Sequence, residues 1–445
     1  MRWLLALAVV VMTMSPPPEC AFADEPRQAV QVSEDQLFQQ LLANPTDVEL
    51  NLRYAVAAQR QGNVEGAISA LERILAAHPD LANVRLKLGQ LYAQLGSYTM
   101  ALAYLEPLAA SDSVPAAVKA DAAAALREVN AQTARSRFSG TLFAGSQWQN
   151  NPGAAPGAPF FLVAGVPQQV RQSFAKRPDN DLFAQASGQY VYDLQTPDHD
   201  TIEADGLAYV SSFRSLHQLD TVLGNVSVGP QLGLERIGLL GGSLRPYLLL
   251  SDLRLGGAAY EYAGGAGFHY AQKLGAGLPS IGLGYEAQQA SYISSNNFPT
   301  AAELDGRLDR YQLTFAQSFG SHISAELGTV VNRQNTRLAG YSNTDYALVG
   351  NLALSYDTAP FSFGYPLVTA LGFSRHYIPY DGADPTVAPG ITRTDRRWQF
   401  SVGEIVPVTG RISVVALLAR DIETSNIRNF AYTNTSFMVG PQVSF

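Results

Sequence analysis

Six histidines, at positions 78, 199, 217, 269, 322 and 376, carry the widest range of possible chemistry in this 445-residue chain. None stands at HExxH or another zinc spacing, so the sequence gives no support to a metal centre. The single cysteine, Cys20, follows Pro17-Pro18-Glu19, a poor lipidation context, and precedes an expected cleavage point. Without it no disulfide or thiolate chemistry remains. Gly264-Gly265-Ala266-Gly267 lacks the following helix and lysine of a phosphate loop and lies inside an expected strand. What is left is a set of polar groups, Glu261, His269, Arg310, Asp345, Arg397 and Asp421, whose meaning depends on the face each occupies. On one inward wall they could tune a pore, hold a catalytic group at His269, or pair across a closed lumen. The expectation is no enzyme and no cofactor.

The elements that position these residues come in three parts. Arg2, the apolar run Leu4–Met14 and the A-x-A site Ala21-Phe22-Ala23 predict a signal peptide over 1–23, with Asp24 starting the mature chain. No later apolar run reaches 18 residues, which excludes a helical membrane protein. A net charge of -8 leaves no basic footprint, so no nucleic-acid partner is expected.

Residues 24–135 form the second part, where the period is helical. A shift of 34 residues superposes Ala55 on Gly89, Gly62 on Gly96, Ala67 on Ala101 and Leu71 on Leu105. Leu88, Gly89, Tyr92, Gly96, Ala101 and Leu105 follow the spacing of a tetratricopeptide repeat, giving repeats near 48–81 and 82–115. Gly89 and Ala101 would admit close helix approach, and Gly96 would make the turn. Helices over 34–43 and 115–133 would cap the stack.

From 136 to 445 the period is two. Fourteen strands are expected, near 137–148, 182–194, 201–214, 219–234, 244–254, 258–271, 277–291, 308–319, 322–334, 344–356, 366–377, 394–406, 411–422 and 434–445. The chain has only 15% charged residues but 21 Tyr, 20 Phe and 38 Gly, which suits strands facing something apolar. Tyr346, Leu348, Leu352, Leu354 and Tyr356 alternate with Asp345, Asn351 and Ser355. Trp398, Phe400 and Val402 alternate with Arg397, Gln399 and Ser401. Tyr260, Tyr262, Phe268 and Tyr270 are expected outward, and Glu261 and His269 inward. Connections are mostly long at one end, led by 149–181, and mostly short at the other. This is the asymmetry of an outer-membrane barrel, with its short turns in the periplasm. The 149–181 connection, with its Phe160-Phe161-Leu162-Val163 core, is expected to enter the lumen or cap the mouth. The fold class is therefore multi-domain α and β: an N-terminal tetratricopeptide α-solenoid plus a C-terminal antiparallel transmembrane β-barrel of about 14 strands.

The last strand, with Phe437, Val439, Val443 and Phe445 on one parity, resembles the terminal signal that the barrel-assembly machinery reads. A signal, a short repeat region and a barrel ending in Phe together resemble the surface lipoprotein assembly modifier family. That resemblance implies an outer-membrane protein whose periplasmic repeats contact a protein substrate and whose barrel offers the route for surface display. Its partners would be outer-membrane lipids, the assembly machinery and a periplasmic or surface-bound protein. An exopolysaccharide export porin, a barrel enzyme and a barrel-anchored periplasmic scaffold stay open as alternatives.

Overall fold

The computed structural model describes residues 34–445 apart from 46, 61–62, 112, 170–174, 276–277, 321, 357–362 and 364. The expected signal peptide with Ala21 and Ala23, and the repeat residue Gly62, lie outside the described residues. The chain divides into two compact units, with the division at Arg137/Phe138.

The first unit is six helices: α1 (Glu34–Ala43), α2 (Val48–Arg60), α3 (Val64–Ala77), α4 (Ala82–Gln94), α5 (Tyr98–Ala110) and α6 (Ala116–Thr133). The Asn63 side chain accepts from Gly66 N at 2.9 Å and so caps α3, where the first-turn amides lack helical partners. Ala55, Ala67, Leu71, Leu88, Ala101 and Leu105 are all buried. Gly89 is where α4 and α5 touch: a Cβ there would lie 2.6 Å from Leu105 Cδ2. Gly96, at φ +74°, makes the left-handed turn between the same helices. Helix α1 covers the first repeat with Leu37 and Leu41, and α6 covers the second with Ala122 and Val129. Stacked helix pairs need such covers to hide their last apolar face.

The second unit is a closed antiparallel barrel of fourteen strands: β1 (Ser136–Gln149), then β4 (Asp179–Asp193), β5 (Thr201–Phe213), β6 (Thr221–Gly233), β7 (Gly242–Leu255), β8 (Ala258–Lys273), β9 (Ser280–Tyr292), β10 (Gly306–Phe319), β11 (Ile323–Thr336), β12 (Asn343–Tyr356), β13 (Leu367–Ala383), β14 (Thr392–Pro407), β15 (Ile412–Ser425) and β16 (Tyr432–Ser444). Each strand pairs with its neighbours in sequence, and β1 pairs with β16 to close the ring. The alternation read from the sequence sets the faces. Phe315, Leu327, Leu348, Phe400, Leu418, Phe437, Val439, Val443 and Phe445 are exposed on the outside. Thirteen residues at about 3.3 Å each, tilted, span an apolar band of about 25 Å. No described helix is long and apolar enough to cross a membrane.

Two features depart from the sequence reading. Tyr260 is not outward. Leu253 pairs with Glu261 and the next residue, Arg254, with Ala259, so Tyr260 is an unpaired extra residue. A bulge of this kind changes the side-chain parity. The Tyr260 ring turns in and packs 5.5 Å from Tyr292 and 5.4 Å from Phe298, whereas Tyr262 and Phe268 remain exposed. The long first connection also contains a hairpin of its own, β2 (Phe160–Val163) and β3 (Val166–Gln169).

Candidate functional site: the charged lumen wall

Strand alternation brings many polar residues of the barrel onto its inner wall, where they gather in two groups. The first lies toward the longer connections on β12–β16 and continues onto β1 and β4. Arg393, Asp395, Arg397, Gln399 and Ser401 share one parity of β14; Asp421 and Glu423 share one parity of β15. Arg397 Nε donates to Glu423 Oε2 at 3.0 Å, and Arg393 Nη2 lies 2.6 Å from Asp395 Oδ2 and 3.5 Å from Glu423 Oε1. The Asp395 and Glu423 side chains are fully enclosed. The Arg393 guanidinium also stacks on the rings of Phe430 and Tyr380, a contact that suits a planar, weakly hydrated cation. An amide chain extends the group: Gln149 Nε2 reaches Asp181 Oδ1 at 3.4 Å, Asn434 Nδ2 donates to Gln149 Oε1 at 3.0 Å, and Asn151 N donates to Asn434 Oδ1 at 2.9 Å.

Beside this group runs a linear chain through three strands. His376 Nδ1 is 2.9 Å from Asp345 Oδ1, and its Nε2 is 3.0 Å from Ser374 Oγ. This is the connectivity of a Ser–His–Asp nucleophilic array. Ser374 is buried, however, and its hydroxyl donates to Gln399 Oε1 at 3.0 Å. The backbone amides on both sides belong to sheet ladders, so none is free to bind an acyl oxygen. The arrangement ties β12, β13 and β14 together through side chains.

The second group lies on β5–β11, running from the shorter connections at Glu203 and Arg245 up to Arg310 and Asn332. Arg245 pairs with Glu203 at 3.4 Å and with Asp205. Tyr247 donates to Glu286 at 2.9 Å, and Arg310 Nε donates to Asn332 Oδ1 at 3.0 Å. His269 faces inward as expected, close to Gly282. It has no hydrogen-bond partner among the described residues, and no serine or carboxylate joins it. Glu261 is on the inner wall opposite Tyr292. Hence Arg310, Asp345, Arg397 and Asp421 do face inward: Arg397 and Asp421 lie in the first group with Asp345 beside it, and Arg310 lies apart on β10. Among the described residues no group of His, Cys, Asp and Glu could hold a metal ion.

The β2–β3 hairpin lies at the longer-connection end. Ala164 N donates to Thr386 O at 2.8 Å, Gly165 N to Val387 O at 2.9 Å, and Leu162 N to Asn429 Oδ1 at 2.6 Å. It therefore docks on the connections after β13 and β15, at the rim above the first polar group. Outside the membrane-spanning strands, Asp200 is held below the usual carboxylate range. The hydrogen bond from Gly233 N leads that effect, with Thr196 and Arg236 adding to it.

The helical unit presents a different kind of surface. Phe38 and Leu42 on α1, and Leu52 and Val56 on α2, are large apolar side chains left exposed at i, i+4 spacing. Such a strip is what an apolar peptide segment would cover.

A tetratricopeptide repeat family profile matches residues 58–126. No curated protein matches the chain. The barrel is similar in fold to an anion-selective porin from Comamonas acidovorans, at 10% identity, 70% of this chain, 99% of that chain and a TM-score of 0.35. It is also similar to an outer membrane channel from Pseudomonas putida F1, at 12% identity, 69% of this chain, 95% of that chain and a TM-score of 0.35. The MamA protein is similar over 22% of this chain and 60% of its own length, at 19% identity and a TM-score of 0.17.

Proposed function

We propose that the chain is an outer-membrane protein that assists translocation or surface display of lipoproteins or other secreted proteins. The helical repeats contact the substrate in the periplasm and the barrel provides the route. The carrying observation is the direct succession of a tetratricopeptide-type helical unit and a barrel with an apolar outside and a polar lumen. The last helix leads into β1, which begins at the end of the barrel carrying the shorter connections. The exposed Phe38, Leu42, Leu52 and Val56 offer an apolar stretch of substrate a place to bind. The lumen wall is polar, with Arg245, Arg393 and Arg397 each paired to acids, which suits passage of an extended polar chain. No catalytic step or cofactor is part of this reading. A second reading, a barrel that only anchors the repeats, is favoured by the enclosed Arg393–Asp395–Glu423 cluster and the hairpin docked above it.

The test is quantitative protease shaving of intact cells, read by proteomics, comparing wild type, deletion and a strain lacking residues 33–135. Loss of one or a few proteins from the shaved fraction at unchanged total amount is the expected result. An unchanged shaved fraction defeats the export reading and leaves the anchor. Loss of matrix or capsule alone moves the assignment to polysaccharide export.

A further inference from the structure

The outer face of β13–β15 holds three arginines to which no described residue supplies an acid. Arg375, Arg396 and Arg420 are exposed, and their parity is that of the apolar face. Arg375 pairs with Leu348 and Trp398, Arg396 with Tyr377, and Arg420 with Phe400. Their acidic sequence neighbours Asp395 and Asp421 point the other way and are buried in the lumen wall. The remaining outward acids nearby are committed: Asp381 to Arg333, and Glu404 to Tyr356 and Thr369. Among the described residues none of the three guanidiniums forms an ion pair. Arg375 lies 4.9 Å from the Trp398 ring centre, Arg420 reaches the Thr435 hydroxyl, and among the described residues Arg396 has no side-chain partner.

Position sharpens the problem. Arg396 lies toward the longer connections, Arg375 is level with the next outward residue, Trp398, and Arg420 is level with Phe400 below it. An arginine on the lipid face is destabilising in proportion to its depth. A nearby anion in the lipid removes that cost. Two strand spacings across and two residues along, Arg375 and Arg420 are about 12 Å apart, a distance that one phosphorylated headgroup can bridge.

We infer that Arg375, Arg396 and Arg420, arranged around Trp398, bind the phosphate groups of a lipopolysaccharide-type glycolipid in the outer leaflet. Guanidinium forks match phosphate oxygens bidentately. The exposed rings of Trp398 and Phe400, stacked 6.0 Å apart, offer a flat apolar surface for the first carbons of the acyl chains. The inference rests on the outer-membrane reading, because the longer connections must face outward for the patch to meet that leaflet.

The test is native mass spectrometry of the full chain in nonionic detergent, titrated with bisphosphorylated lipid A, with the same lipid stripped of both phosphates, and with inorganic phosphate. Lipid A is expected to bind, and the stripped lipid and free phosphate to bind far more weakly. The triple variant R375Q/R396Q/R420Q is expected to lose about a hundredfold in affinity, at about fivefold per charge. Arg254→Gln removes one lipid-facing charge elsewhere, beside Asp252, and is expected to change nothing. Folding of each variant is read from its heat-modifiable gel mobility. If the triple variant does not fold, Arg396→Gln alone carries the test with a fivefold loss. Equal binding by wild type and variant, or equal binding of stripped lipid or free phosphate, overturns the assignment. Membrane fractionation separates the two failures. A folded wild-type chain absent from the outer membrane removes the parent reading, whereas a correctly located chain without phosphate-dependent binding removes only the patch.

Discussion

Phe445 exchanges both of its backbone hydrogen bonds with Gly140, at 2.9 and 3.0 Å, and so fixes the register in which β16 meets β1. The Phe445 ring packs 5.6 Å from Phe138. Gly140 admits it because a Cβ there would stand 2.5 Å from Ser187 O and 2.8 Å from Phe445 Cζ. Above this contact the seam has a weak point: the Pro441 nitrogen can donate no hydrogen bond, and close backbone approach leaves no room for a Cβ on Gly145 or Gly440.

Barrel closure should therefore depend on both partners. Gly140→Val is expected to lower the folded fraction several-fold, because the new side chain meets the Ser187 backbone carbonyl as well as the Phe445 ring. Phe445→Ala should give a milder loss of the same kind. Heat-modifiable mobility after refolding into detergent measures both. A Gly140→Val barrel that refolds like wild type would show that the seam tolerates a wider spacing.

The barrel was legible because one physical fact repeats fourteen times: apolar outside, polar inside, at period two. Where that fact is broken by a single residue, as at Tyr260, nothing local marks the change, since the bulge is defined by its partner Leu253 on another strand. The β2–β3 hairpin was missed for the opposite reason. Its strands are only four residues long, and the turn residue Ala164 adopts φ +48°, a conformation alanine rarely takes. Gly165 beside it, at φ +81°, was the available signal. The Ser374–His376–Asp345 chain needed the register that sets Ala347 opposite His376. Only the shared parity of Ser374 and His376 was readable in advance. The repeats, by contrast, are local in sequence, so their packing residues could be named individually.

Gly89 provides a stability test of the helical unit. An added Leu side chain would be forced into Leu105, which is fully buried. Gly89→Leu is expected to destabilise the unit by about 1–3 kcal/mol through overpacking, beyond any gain in helix propensity. Thermal unfolding followed at 222 nm reads this as the loss of helical signal, compared between wild type and variant. Gly89→Ala should cost less, because Leu105 can shift its flexible end.

Tyr92 gives a pH signature. Its hydroxyl donates to Glu72 Oε1 at 2.5 Å, and that bond, ahead of burial and the Glu72 charge, raises its pKa to about 12. A raised pKa means that the neutral form is favoured in the folded state. The stabilisation is complete below the ordinary value of 10.0 and is lost as the pH rises through about 12. A difference titration at 295 nm between wild type and Tyr92→Phe should isolate one phenol ionising near 12. A phenol ionising near 10 in that difference spectrum would mean that the Glu72 bond is absent.

Glu423 decides how the upper lumen is held together. It accepts from Arg397 at 3.0 Å and lies 3.5 Å from Arg393, with its own side chain fully enclosed. Removing it takes one carboxylate from the two guanidiniums, leaving Asp395 beside Arg393 and Asp421 on the neighbouring inward position of β15. Glu423→Ala is expected to cost about 3–5 kcal/mol, the usual penalty for a buried charge stripped of its partner. The double variant Arg397→Met/Glu423→Met should cost much less, because no uncompensated charge remains from that pair. Urea unfolding in detergent, followed by tryptophan fluorescence, compares the two. If both variants lose the same stability, the cluster contributes packing and not charge compensation. The lumen at that level is then solvated well enough to screen the pair, which would favour an open route over a closed anchor.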